Sequence, residues 1–204
     1  MPVLSQPRCR FERLHDLIEA AGLRFSQHNS PIAHNLSRAI GTLDSIATSA
    51  TLPAPTSVPA CAALPRLCAN PNEPLIAALR PALADLCWRP PGYGKLAATI
   101  SSQMAVVEIV GPNGMLPHAD IRFGFLAQQK GVDYPTHCHA AEELYVVLDG
   151  SAKWAVDHGP YVTKGVGDFI YHAPNQPHAI RTERTALLTL WGWSGDISAA
   201  SYSV

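Results

Sequence analysis

Charge is scarce in this chain and neither sign dominates: 15 Lys and Arg stand against 16 Asp and Glu in 204 residues, a net charge of −1 with histidine neutral. A sequence so poor in basic clusters offers no electrostatic footprint for nucleic acid and no patch for an anionic membrane surface. No run of 18 apolar residues exists, so no transmembrane helix is expected. The opening Met1–Arg8 has no apolar h-region, and no secretory leader is predicted from it. Cysteine is also sparse. Cys9, Cys61, Cys68, Cys87 and Cys138 make an odd number without framework spacing. Reduced thiols in a cytoplasm are therefore expected, and Cys61 and Cys68 are too far apart for a CxxC metal knuckle.

Hydrophobic residues make up 47% of the chain, enough for one sizeable domain with added decoration. Composition changes near residue 90, and the sequence divides there into a helical, Pro-rich extension (1–90) and a β-rich part (91–204). Phe11, Leu14, Leu17, Ile18 and Ala21 recur at helical spacing, as do Leu36, Ile40, Leu43 and Ala47. Prolines 53, 55, 59, 65, 71 and 74 then exclude any long regular element. Leu75 to Leu86 predicts a third helix, interrupted at Pro81. Beyond residue 90 the pattern turns to short strands: 105–110 before the turn Gly111-Pro112-Asn113-Gly114, 121–127, 144–148 before a hairpin at Asp149-Gly150, then 154–156, 161–163, 169–171 and 186–193. Strands of this length and spacing predict an antiparallel sandwich or small barrel. No internal repeat is evident.

The densest chemistry lies between Gly131 and Gly150. His137, His139 and Glu143 are three candidate metal ligands within seven residues, and His178 follows in a second turn-rich segment. Three imidazoles and a carboxylate suit a divalent transition metal: Zn, Fe(II), Mn, Co or Ni. Residues two apart on a strand share a face, so His137 and His139 point together, and Glu143 and Tyr145 likewise, with a turn allowed at Ala140-Ala141. Cys138 then faces away, Glu142 faces solvent, His172 is expected behind the ligands or at the surface, and His118 and His158 are expected to be exposed.

These residues carry a resemblance. Gly131, His137, His139, Glu143 and Gly150 match every position of the first cupin motif, G-x5-H-x-H-x3-E-x6-G. The second motif is looser: Gly167 and His178 are in register, but Ala173, Asn175 and Thr182 stand where proline, glycine and asparagine are usual. Asn175 tolerates a positive φ, which preserves the turn. The implied fold is a mainly β, antiparallel cupin barrel with a helical N-terminal extension. The segment from Tyr134 to Tyr145 further resembles cupin-type dimethylsulfoniopropionate (DMSP) lyases, whose hallmark is tyrosine on both sides of the His/Glu cluster. The resemblance covers roughly residues 90–195.

That family's reaction is β-elimination of DMSP to dimethyl sulfide and acrylate. The resemblance implies Tyr134 as general base and Tyr145 at or beside the metal, with the two roles exchangeable. It also calls for aromatic faces to receive a sulfonium, for which Trp191, Trp193, Phe125 and Tyr93 are the candidates. The same ligands would serve another cupin enzyme, such as a sugar isomerase or a dioxygenase on a small carboxylate, or a non-catalytic small-molecule binder. A small molecule is the expected partner, a homodimer is implied by family habit, and the N-terminal helices are expected to cover the barrel mouth.

Overall fold

The structure is a computed structural model that describes residues 8–43, 51–70 and 72–204. Helices α1 (Arg10–Phe25), α2 (Pro31–Ile40), α3 (Leu64–Leu67), α4 (Pro74–Ala82) and α5 (Ala98–Ser101) precede strands β1 (Met104–Val110), β2 (Arg122–Gln128), β3 (Asp133–His137), β4 (Ala141–Val156), β5 (Val162–Gly165), β6 (Phe169–His172), β7 (His178–Arg181) and β8 (Leu187–Gly195). The expected helices are present with local reasons for their ends. Cys9 and Glu12 form a reciprocal cap on α1, Ser30 precedes Pro31 at the start of α2, and Glu73 precedes Pro74 at the start of α4. Pro81 lies in the last turn of α4, where the chain passes into a 3-10 turn at Leu83–Asp85. Ala47 and Pro71 lie outside the described residues.

All strand pairings are antiparallel, and the eight strands make one curled sheet in the order β1-β2-β8-β4-β7-β3, with β5 and β6 also paired to β4. The curl originates in β4. Its first half pairs with β8 and β6, its second half with β5 and β7. The expected hairpin at Asp149-Gly150 is thus corrected: the strand runs through this dipeptide. A register shift between Val147 and Asp149, with Gly150 at φ +76°, forms a bulge that lets β4 cross from one layer to the other. The true turn comes later, at Asp157-His158, where both residues have positive φ.

Strands β1, β2, β8 and the first half of β4 have a helix side and a cavity side. Leu144, Val146, Leu148, Leu188, Leu190, Phe123 and Phe125 join the residues of α1, α2 and α4 in one hydrophobic core. Tyr145, Val147, Leu187, Trp191, Trp193 and Leu126 belong to a second core on the opposite side. Gly192 shows how closely the helices approach: a Cβ there would lie 2.5 Å from Leu36 Cδ1 and 2.8 Å from Phe25 Cζ. The helices therefore brace the outer face of the sheet and do not cover the mouth of the cavity, contrary to expectation. Among the described residues, no helix is long and apolar enough to cross a membrane.

Candidate metal centre

β3 ends at His137, the chain bends at Ala140, and β4 begins at Ala141, so the ligand-rich segment turns a corner between strands. His137 pairs with His178 across β3 and β7. Glu143 pairs with His172 on β6 and with Trp193 on β8. Asn175 adopts φ +60° in the turn before His178, and its N–H donates to the His139 carbonyl at 2.8 Å, tying the two motif segments together.

His139, Glu143 and His178 converge: one ligand atom from each lies within 4.8 Å of the other two, and all three residues are buried. The imidazoles are oriented from behind. His139 Nδ1 donates to the Ala141 carbonyl at 3.0 Å, and His178 Nδ1 donates to the Gln176 carbonyl at 2.9 Å. Each Nε2 therefore presents a lone pair toward Glu143 Oε2, at 3.1 Å and 3.3 Å. Three acceptors facing one point call for a cation between them. His178 Nε2 is buried and makes no hydrogen bond among the described residues. The donor set fits a divalent transition metal.

Electrostatics agree. Burial alone would raise the Glu143 carboxyl, but His139 and His178 hold it well below the usual carboxylate range. Burial, with His178 beside it, pushes His137 well below the ordinary imidazole value. The same two causes bring His172 down to about 3. An ionised carboxylate is the state in which Glu143 would ligate a metal.

His137 lies outside the converging trio. Its Nδ1 donates to the Pro135 carbonyl at 2.9 Å, and its ring stacks on Tyr134, centroids 4.2 Å apart and 12° from parallel, while meeting His178 edge-on at 4.2 Å. His172 is buried behind the site: it stacks on His178 at 3.8 Å and accepts the Trp154 indole N–H at 3.2 Å. Cys138 faces away and contacts Ser203, whereas Glu142 accepts from Ser194 at 2.5 Å and is only partly exposed. His158 is exposed; His118 is half-buried, its Nδ1 accepting from the backbone of Asp120 and Ile121.

His139 and Glu143, with His137, line a cavity of about 40 Å³ that is open to solvent at its mouth. Tyr134, Tyr145, Tyr93, Trp191 and Trp193 line it. Burial pushes the Tyr134 and Tyr145 phenols well above their usual range, with Tyr202 and Glu143 respectively adding to the effect. Phe125 is the exception among the expected aromatics. It is buried on the helix side of β2, beside Phe123 and Val107, because the inward residues of that strand are Gly124, Leu126 and Gln128. Two features of the cavity escaped the sequence reading. Tyr202 lines it from the end of the chain, where no strand pattern flags it. Arg89 lies at its mouth beside Tyr93, in a cluster where buried Arg122 holds Glu108 at 3.0 Å.

Comparisons with known proteins bear on this site. Residues 27–189 match the family described as dimethylsulfoniopropionate lyase. A curated relative, dimethylsulfoniopropionate lyase DddQ of Ruegeria pomeroyi, is 31% identical over 114 residues, which span 55% of this chain and 57% of that protein. A crystal structure of DddQ from Ruegeria pomeroyi superposes with a TM-score of 0.72 at 23% identity, covering 95% of this chain and 96% of that one. A chain from the crystal structures of the DMSP lyases RdDddP and RnDddQII gives the same TM-score and identity over 96% and 99% of the respective chains. At that identity, the two structures establish the fold.

Proposed function

The chain belongs to the dimethylsulfoniopropionate lyase family of the cupin superfamily, and from that premise we propose that it cleaves DMSP by β-elimination to dimethyl sulfide and acrylate. The observation that carries this reading is the placement of Tyr134 and Tyr145 in one cavity with His139 and Glu143, the two residues that converge with His178. The curled sheet is read as a cupin barrel formed by residues 91–204, with residues 1–90 as an extension packed on its outside.

His139, Glu143 and His178 would hold one divalent ion of the Zn, Fe(II), Mn, Co or Ni class, with His137 and Tyr145 adjacent. When bound, such an ion supplies Lewis acidity toward the substrate carboxylate and makes the neighbouring C–H more acidic. Tyr134, having first given its own phenol proton to water at the open mouth, takes the substrate proton on its phenolate oxygen. The C–H electron pair becomes the new C=C bond, and the C–S pair leaves on sulfur, so the cationic sulfonium departs as neutral sulfide. Before substrate enters, Tyr134 and Tyr145 are neutral phenols, buried beside the Glu143 carboxylate. Positive charge entering with the substrate's sulfonium favours the phenolate that the proton transfer requires. Tyr93, Trp191 and Trp193 present aromatic faces that attract a sulfonium without hydrating it. Phe125, on the other side of the sheet, has no part in this.

The test is product stoichiometry. Metal-loaded protein incubated with DMSP is expected to release dimethyl sulfide and acrylate in equal amounts, and Tyr134→Phe to lose turnover by at least about 100-fold while retaining metal. Full turnover in both Tyr134→Phe and Tyr145→Phe, with metal bound, would remove the tyrosine mechanism.

A further inference from the structure

Tyr202 is 2% exposed, although it lies two residues from the last position of this sequence. Its hydroxyl is 3.0 Å from the Tyr134 hydroxyl, within the cavity that both residues line. The segment that carries it is fixed to the ligand-bearing loop by several bonds. Ser203 and Cys138 exchange backbone hydrogen bonds of 2.9 and 3.0 Å. Ser201 Oγ accepts the Ala140 N–H at 3.0 Å. Lys95 reaches the carbonyls of Ala200 and Tyr202 from the opposite side. Residues 198–203 thus form a strap pinned across the stretch from Cys138 to Ala140, on both sides of His139. The Tyr202 ring meets Tyr93 at 5.7 Å and His137 at 5.4 Å.

We propose that Tyr202 is a positioning residue for Tyr134: the strap delivers its hydroxyl as the side-chain partner that fixes the Tyr134 oxygen over the ligand cluster. This rests on the reading of Tyr134 as the proton acceptor. A phenol ring held at its base by stacking on His137 still rotates and leans; a hydrogen bond at its far end sets where the oxygen stands. Proton abstraction is sensitive to that distance, and a displacement near 1 Å costs about 100-fold in rate. The contact acts on Tyr134 and does not bear on the three ligand atoms, so metal retention is not its readout.

The experiment uses zinc-loaded full chain carrying tyrosine labelled with carbon-13 at the ζ position, the Tyr134 signal being assigned by its loss in Tyr134→Phe. Tyr202→Phe keeps the ring and its packing but removes the hydroxyl. It is expected to move the Tyr134 signal and to lower kcat on DMSP by about 10- to 100-fold, with KM within about twofold and zinc content unchanged. Ser203→Pro keeps the Tyr202 side chain and removes the N–H and the hydroxyl through which residue 203 holds Cys138; it is expected to lower the same parameter by a smaller factor. An unmoved Tyr134 signal in Tyr202→Phe, or an unchanged kcat with zinc bound, would overturn the proposal. Should the unaltered protein release no dimethyl sulfide, the lyase reading fails by itself. The labelled signal then decides the contact alone, a shift sustaining it and a fixed signal ending it.

Discussion

Trp193 donates its indole N–H to Glu143 Oε1 at 2.7 Å, and the two residues are directly paired between β8 and β4. The bond occupies one carboxylate oxygen and leaves the other, Oε2, facing His139 and His178. Trp193 thereby does what outer partners of metal ligands do, fixing the rotamer of a ligating group. Trp193→Phe keeps an aromatic ring on the strand but removes the donor. The expected outcome is a loss of about 10- to 100-fold in zinc affinity, read by competition with a chromogenic chelator, with circular dichroism unchanged. Unaltered affinity would mean that Glu143 is held by other contacts.

Gly192, between the two cavity tryptophans, faces the opposite side of the sheet and admits Leu36 and Phe25 to the backbone. Gly192→Ala forces those side chains apart, a change expected to cost about 2 kcal/mol and to lower the melting temperature by roughly 4–8 °C. Differential scanning calorimetry measures it. A melting point unchanged within error would show that α1 and α2 do not pack against β8 as closely as found here.

Cys68 is completely buried in the same core, and burial, aided by the charge of Asp149, pushes its thiol up to about 12. The folded value lies above that of a free thiol, near 8.5. The native state therefore favours the protonated form, and this contribution to stability is present below about pH 8.5 and lost as pH rises toward 12. Native protein treated with iodoacetamide at pH 8 is expected to be alkylated at exposed Cys9 and spared at Cys68. The denaturant midpoint should fall between pH 9 and 12, less steeply in Cys68→Ala. Rapid labelling of Cys68 in the native protein would contradict the packing of α3 and its neighbours on the sheet.

The converging residues His139, Glu143 and His178 were legible because their signal is local, but the same signal names His137 as a fourth ligand, which the structure leaves outside the cluster. His139 and Glu143 are four residues apart in a stretch bracketed by Gly131 and Gly150, and His178 follows at a fixed distance from Gly167. What was misread depends on the third dimension. Phe125 was placed in the cavity because β2 is buried at every position, so alternation does not reveal which face points inward. Asp149-Gly150 has the composition of a tight turn, yet the positive φ of Gly150 serves a bulge within a 16-residue strand. The helices were expected over the mouth because their apolar stripes declare that they pack, but not against which side of a sheet that is buried on both. Tyr202 gave no signal at all: its segment has neither helical nor strand periodicity, and long-range bonds, such as the pairing of Ser203 with Cys138, bring it to the site.

The measurement nearest the central claim is headspace dimethyl sulfide over a sealed mixture of protein and DMSP, run metal-loaded, after chelation, and after metal is restored. The account predicts sulfide release from the loaded protein, its loss on chelation and its return on reloading, with no return in Glu143→Gln. Absence of dimethyl sulfide from protein shown to carry one equivalent of metal would contradict it.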